Sequence, residues 1–105
     1  MRRQDLYWLA GYLEGEGTFF YHSLSYTARI GLQSTDLDVI DRAAKLMGAV
    51  AHGPLKRGTR RKPIWYVQVY GGNARKLMSK LLPLLGNRRK KQITDALAKV
   101  DRVKR

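Results

Sequence analysis

Two carboxylates, Glu14 and Glu16, stand among three glycines in the stretch Leu9-Ala10-Gly11-Tyr12-Leu13-Glu14-Gly15-Glu16-Gly17. Leu6, Leu9, Ala10 and Leu13 fall at i, i+3, i+4 and i+7, one apolar stripe of a helix that these acids would terminate. Gly11 and Gly15 are four apart, so they lie one above the other on a face without side chains. A glycine costs about 1 kcal/mol in a helix interior, so such spacing calls for a reason. Two helices packed through this face would approach closely and set two copies of Glu16 side by side. Carboxylates at the negative end of a helix dipole repel it and each other unless a cation intervenes. Mg²⁺ suits that place, because it takes one or two carboxylates and completes its shell with water and phosphate oxygens. The same residues also suit a C-capping glycine run followed by solvated acids, and spacing alone leaves both meanings open.

The elements that must hold these acids follow from pattern. The apolar stripe predicts a first helix over residues 4–14, with Asp5 favourable in its opening turn. Residues 17–24 and 27–34 read as two strands around a turn at Ser25-Tyr26. In the second strand Ala28, Ile30 and Leu32 alternate with Thr27, Arg29, Gly31 and Gln33, the period of a half-buried strand. Thr35-Asp36 is an N-cap signal for a helix over 36–47 that would bury Leu37, Ile40, Ala44 and Met47. Residues 49–56 read as a strand that Pro54 confines to an edge. Residues 64–70 form the clearest strand, with Trp65, Val67 and Val69 on one side and Tyr66, Gln68 and Tyr70 on the other. Gly71-Gly72-Asn73 is expected to break it, before a helix over 74–85 that Pro83 bends near its end and a last helix over 88–102. Strand-turn-strand-helix thus occurs twice, and the 105 residues make one domain.

Composition narrows the partner. The chain has 21 Lys and Arg against 8 Asp and Glu, a net charge of +13, and a compact chain so charged seeks a polyanion. Nucleic acid is the first candidate and an anionic membrane surface the second. No apolar run approaches the ~20 residues of a spanning helix. The basic start leads into a patterned helix instead of a signal peptide, and cysteine is absent, so an intracellular place (cytoplasm or organelle matrix) is expected. Two histidines are too few for a zinc site. Lys56-Arg57-Gly58-Thr59-Arg60-Arg61-Lys62 holds five cations and no acid between two predicted strands, a position suited to phosphate. One sheet face would carry Thr18, Phe20, His22, Arg29, Gly31, Gln33, Tyr66 and Gln68, and a β-ribbon with such donors and acceptors fits the DNA major groove.

Residues 9–17 resemble the LAGLIDADG motif of homing endonucleases, matching it at Leu9, Ala10, Gly11 and Gly17, with Leu13, Glu14, Gly15 and Glu16 as close substitutes. The predicted αββαββα order extends the resemblance over nearly the whole chain. It implies an α+β fold with a four-stranded antiparallel saddle sheet and helices on one face. It implies a DNA endonuclease that cuts both strands with Mg²⁺ and needs no small-molecule cofactor. Glu16 takes the place of the motif's last acid, the metal ligand, with the Gly15 carbonyl beside it; Asp is the family's usual residue there. Glu14 matches the first acid, less directly involved in the chemistry.

One motif per chain implies a homodimer on a roughly palindromic double-stranded DNA site. Its interface would be the first helix, through Tyr7, Trp8, Ala10, Gly11, Tyr12, Glu14 and Gly15. The resemblance also implies supporting polar groups at Gln33 or Ser34 and at the start of the last helix. There Arg89 matches a transition-state-stabilising lysine, and Arg88 and Lys90 would reach the DNA backbone. Arg89 holds its proton too firmly for acid–base work. A basic helix start that touches phosphates without catalysis remains the other meaning of that segment. The chief rival function is a non-cleaving nucleic-acid binder of the same fold, an intron maturase or regulator.

Overall fold

The computed structural model describes residues 1–56, 58–59 and 61–103. Helix α1 (Arg3–Glu16) leads into the hairpin β1 (Thr18–His22) and β2 (Thr27–Ser34), then α2 (Leu37–Leu46). A second pair follows, β3 (His52–Leu55) and β4 (Ile64–Tyr70), then α3 (Gly71–Leu81), a 3-10 turn (Leu82–Leu84) and α4 (Asn87–Val103). The strands form one antiparallel sheet in the order β1-β2-β4-β3. The chain is thus α+β, with the expected four-stranded antiparallel sheet.

Alternation decides which face is covered. Phe19, Ala28, Ile30, Leu32, Val67 and Val69 are buried beneath the helices. Helix α4 packs on β1, α3 on β2 and α2 on β4. Leu9 and Leu13 of α1, Ile40 of α2, Met78 and Leu81 of α3 and Ile93 of α4 complete the core, all fully buried. β3 is exposed along its length at the edge, where Pro54 withholds no needed donor.

The structure moves several boundaries. α1 runs to Glu16 instead of ending near residue 14, so both acids belong to its last turn. α3 begins at Gly71, where a break was expected, because Gly71 takes φ +66° and turns the chain directly from strand to helix. The helix expected to run to residue 85 ends at Leu81 and passes into the 3-10 turn that contains Pro83. Leu37, expected in the core, is 39% exposed at the start of α2, and Ala43 takes the buried place. Among the described residues no helix is long and apolar enough to cross a membrane.

Candidate functional site

Gly17 fixes how the chain leaves α1. A Cβ there would lie 2.6 Å from Leu13 Cδ2 and 2.8 Å from the Leu13 carbonyl oxygen, too close for any side chain. With glycine in place, the Gly17 N–H donates to that carbonyl at 2.9 Å and β1 starts at once. Glu16 is thereby set at the junction of α1 with the sheet.

The two acids have different surroundings. The Glu14 carboxylate accepts a hydrogen bond from the Gly86 N–H, and its Oε2 lies 3.9 Å from Nε of Arg89. Glu16 is exposed and makes no hydrogen bond or ion pair to any described residue. It borders two hollows. One, about 520 Å³, lies between Tyr12, Ser34 and Asp36. The other, about 300 Å³, opens on the uncovered sheet face beside Thr18, Gly31 and Tyr66. Gln33 borders both, so the structure brings Glu16 and Gln33 together.

The uncovered face holds the residues that alternation assigns to it. Thr18 pairs with Gly31, Phe20 with Arg29 and His22 with Thr27. Across the centre Gly31 pairs with Gln68, Gln33 with Tyr66 and Arg29 with Tyr70. The face therefore also carries Thr27 and Tyr70, which the same period contains. His52 joins it through β3, opposite Tyr66, with ring centroids 5.5 Å apart. Ser25 reaches the face from the β1–β2 turn, which Tyr26 closes at φ +57°, and no sequence period signals it.

The remaining expected residues divide. Lys56, Arg61, Lys62 and Arg88 are exposed and Lys90 is half-buried, whereas Arg57 and Arg60 lie outside the described residues. Arg89 is only 8% exposed. Its Nε donates to the Glu14 carbonyl at 2.9 Å and its Nη1 to Gln92 Oε1 at 3.1 Å, so its guanidinium holds the end of α1. On α1, Tyr7, Gly11, Glu14 and Gly15 lie on the outer face. Ala10, expected at an interface, is instead 4% exposed and packs in its own chain's core, because its apolar stripe faces the sheet. Trp8 and Tyr12 are half-buried against each other, and the Arg42 guanidinium lies 4.0 Å from the Trp8 ring centroid.

The donor set bears on a cation. Among the described residues no three His, Cys, Asp or Glu side chains cluster to form a closed cage. Glu16, uncommitted at a helix C-terminus and lining the same hollow as Asp36, fits a hard cation whose shell would be completed from outside the chain.

No family model and no curated protein sequence matches the chain. Two solved structures of the homing endonuclease I-CvuI share its fold with a TM-score of 0.63 each. One holds I-CvuI with its target in the presence of 2 mM Ca, and sequence identity is 16% over 93% of this chain and 69% of that one. The other holds it with the I-CreI target in 2 mM Mg, the DNA not cleaved, at 17% identity over 92% of this chain and 66% of that one. This chain spans about two thirds of their length. Over more than nine-tenths of its length it has the fold of the LAGLIDADG homing endonucleases.

Proposed function

We propose that the chain is a site-specific DNA endonuclease of the homing type, working as a symmetric dimer on a roughly palindromic double-stranded target. The observation that carries this is the position of Glu16, exposed and uncommitted where α1 meets the open sheet face. The open face would lie along the major groove, where Arg29, Gln33, Tyr66 and Gln68 meet base edges. The basic residues around it would neutralise phosphates.

The dimer reading rests on Gly11 and Gly15. A Cβ at either would meet nothing within 4 Å, so neither glycine is needed inside the chain. Each nonetheless costs about 1 kcal/mol of helix stability. Interaxial distance depends on the side chains at the contact, and glycine lets a second α1 come closest. Around a two-fold axis the same face serves both partners, and the two Glu16 carboxylates converge.

Glu16, with the Gly15 carbonyl, would then hold Mg²⁺ together with the partner chain and a DNA phosphate. Mg²⁺ held there would supply Lewis-acid chemistry for phosphodiester hydrolysis. Gln33 lines both hollows with Glu16 and would offer its side-chain amide there. The engagement of Arg89 with Glu14 and Gln92 favours a second reading, a non-cleaving binder, because that cation is buried and already committed within the chain.

Cleavage separates the two. The test is a plasmid carrying the joined sequences that flank the reading frame, incubated with the protein and Mg²⁺. Linear product is expected, and EDTA or Glu16→Gln should abolish cutting while DNA binding persists. Cutting that survives Glu16→Gln would remove Glu16 from the mechanism.

A further inference from the structure

Arg29 is held from four directions. Its Nε donates to Thr27 Oγ1 at 3.4 Å, its Nη2 to Ser25 Oγ at 3.3 Å and its Nη1 to Gln68 Oε1 at 3.1 Å. Its guanidinium carbon lies 5.4 Å from the centroid of the Tyr70 ring. The hydroxyls are tied in turn: Ser25 Oγ is 2.8 Å from Thr27 Oγ1 and 2.9 Å from Nδ1 of His22. These partners come from β1, the β1–β2 turn, β2 and β4, so the guanidinium is fixed relative to three of the sheet's four strands. Ordering an arginine costs rotamer entropy, and here that cost is met before any ligand arrives.

Counting donors points to the ligand. A guanidinium has five N–H groups. The three hydrogen bonds leave two, one on each terminal nitrogen. Guanine is the base whose major-groove edge offers two adjacent acceptors, O6 and N7. Adenine sets a donor beside its N7, and cytosine presents a donor. Gln68, whose residue type suits adenine, has its Oε1 turned to Arg29. It therefore does not present the donor and acceptor together that adenine requires.

We propose that Arg29 reads a guanine in each half of the DNA target, with Gln68 as its positioning residue and not an adenine reader. The inference rests on the DNA-binding reading above and deepens it. Register gives the place. From Gln33 to Arg29 is four residues along β2, roughly 13 Å at about 3.3 Å per residue. At about 3.4 Å per base step, the guanine lies up to about four base pairs from the pair under Gln33, on the side away from Glu16.

Selection of duplexes from a randomised pool, in the presence of Ca²⁺, tests this with wild type, Arg29→Ala, Arg29→Lys, Gln68→Met and Gln68→Glu in parallel. Wild type is expected to enrich one guanine per half-site at that spacing. Arg29→Ala should erase that preference, a change of roughly five- to a hundred-fold, and leave other positions alone. Arg29→Lys, which keeps donors but lacks the planar fork, should only reduce it. Gln68→Met should weaken the same guanine preference several-fold without loss at any adenine, and Gln68→Glu, which keeps the acceptor, should retain it. Arg29→Ala sites identical to wild type would overturn the role of Arg29. An adenine preference lost with Gln68→Met would overturn the positioning role. A wild type that enriches no sequence counts against DNA recognition itself and takes this inference with it, a result distinct from both.

Discussion

The Nε–H of Arg89 donates to the backbone carbonyl of Glu14 across 2.9 Å, closing the last turn of α1 from 75 residues away in sequence. The final carbonyls of a helix lack intrahelical partners, and a cationic side chain is a favourable cap for them. The same turn is gripped from the other side, where the Gly86 N–H donates to the Glu14 carboxylate. A Cβ on Gly86 would come within 2.7 Å of Glu14 Oε1, so this approach needs glycine or a moved Glu14 side chain. The start of α4 thus sets the end of α1, and with it Glu16.

Arg89→Met should therefore lower stability by about 2–3 kcal/mol, the scale for losing a charged hydrogen bond at a buried site. Arg89→Lys should recover only part, because an ammonium lacks the fork that serves Glu14 and Gln92 together. Urea unfolding followed by circular dichroism measures both. An Arg89→Met midpoint equal to wild type would mean that the contact contributes nothing to the fold.

Gly11 and Gly15 predict opposite effects on two quantities. With nothing within 4 Å of either added Cβ, Gly11→Ala and Gly15→Ala fit the single chain without strain. Each should stabilise the monomer by up to about 1 kcal/mol through helix propensity. Both should weaken self-association, since every added methyl holds two α1 helices apart. Sedimentation equilibrium and thermal unfolding, run together, read the two signs. Alanine variants that associate like wild type would show that dimers form through another face.

These glycines also mark how far the sequence alone could reach. β2 and β4 are legible to the residue because strict alternation leaves one register that buries Ile30, Leu32, Val67 and Val69. That same parity places Arg29, Gln33, Tyr66 and Gln68 on one face. The end of α1 and the start of α3 are not legible, because glycine propensity argues for a break at both. Tertiary support overrides it: Arg89 and Gly86 hold the first, and the turn at Gly71 opens the second. Ala10 follows from the same limit, since a helix pattern gives its stripe but not which of two partners the stripe meets. The Arg29 network was out of reach, as it joins a turn hydroxyl to a strand 39 residues beyond Arg29.

Gly17 tests the junction between α1 and β1. Its φ of −80° is open to any residue, so the demand for glycine is one of space alone. Alanine would place Cβ 2.8 Å from the Leu13 carbonyl oxygen and 3.0 Å from Leu13 Cα, backbone atoms that cannot swing aside. Gly17→Ala should cost about 1–3 kcal/mol, as overpacking does. It should also move Glu16 and reduce cleavage more than DNA binding. A variant as stable and active as wild type would show that the helix end shifts freely.

The basic residues predict a salt response that depends on where they sit. The first turn of α4 contains no acid, and Arg88, Arg89 and Lys90 crowd the helix end where the dipole already favours anions. Arg89 answers this through Glu14, but Arg88 is exposed there. A bound phosphate would relieve that crowding, as it would for Lys56 and Arg61 beside the sheet edge. Observed DNA affinity should fall with salt at a log–log slope of about −0.9 per phosphate neutralised. Arg88→Gln should make the slope shallower by about one for each copy that meets a phosphate, with a comparable effect from Arg61→Gln. Lys76 and Lys80 are exposed on α3, a helix packed on the covered face of the sheet, so Lys76→Gln with Lys80→Gln serves as the control. If the α3 pair changes the slope and Arg88→Gln does not, the nucleic acid lies across the helices, and the open sheet face is not its seat.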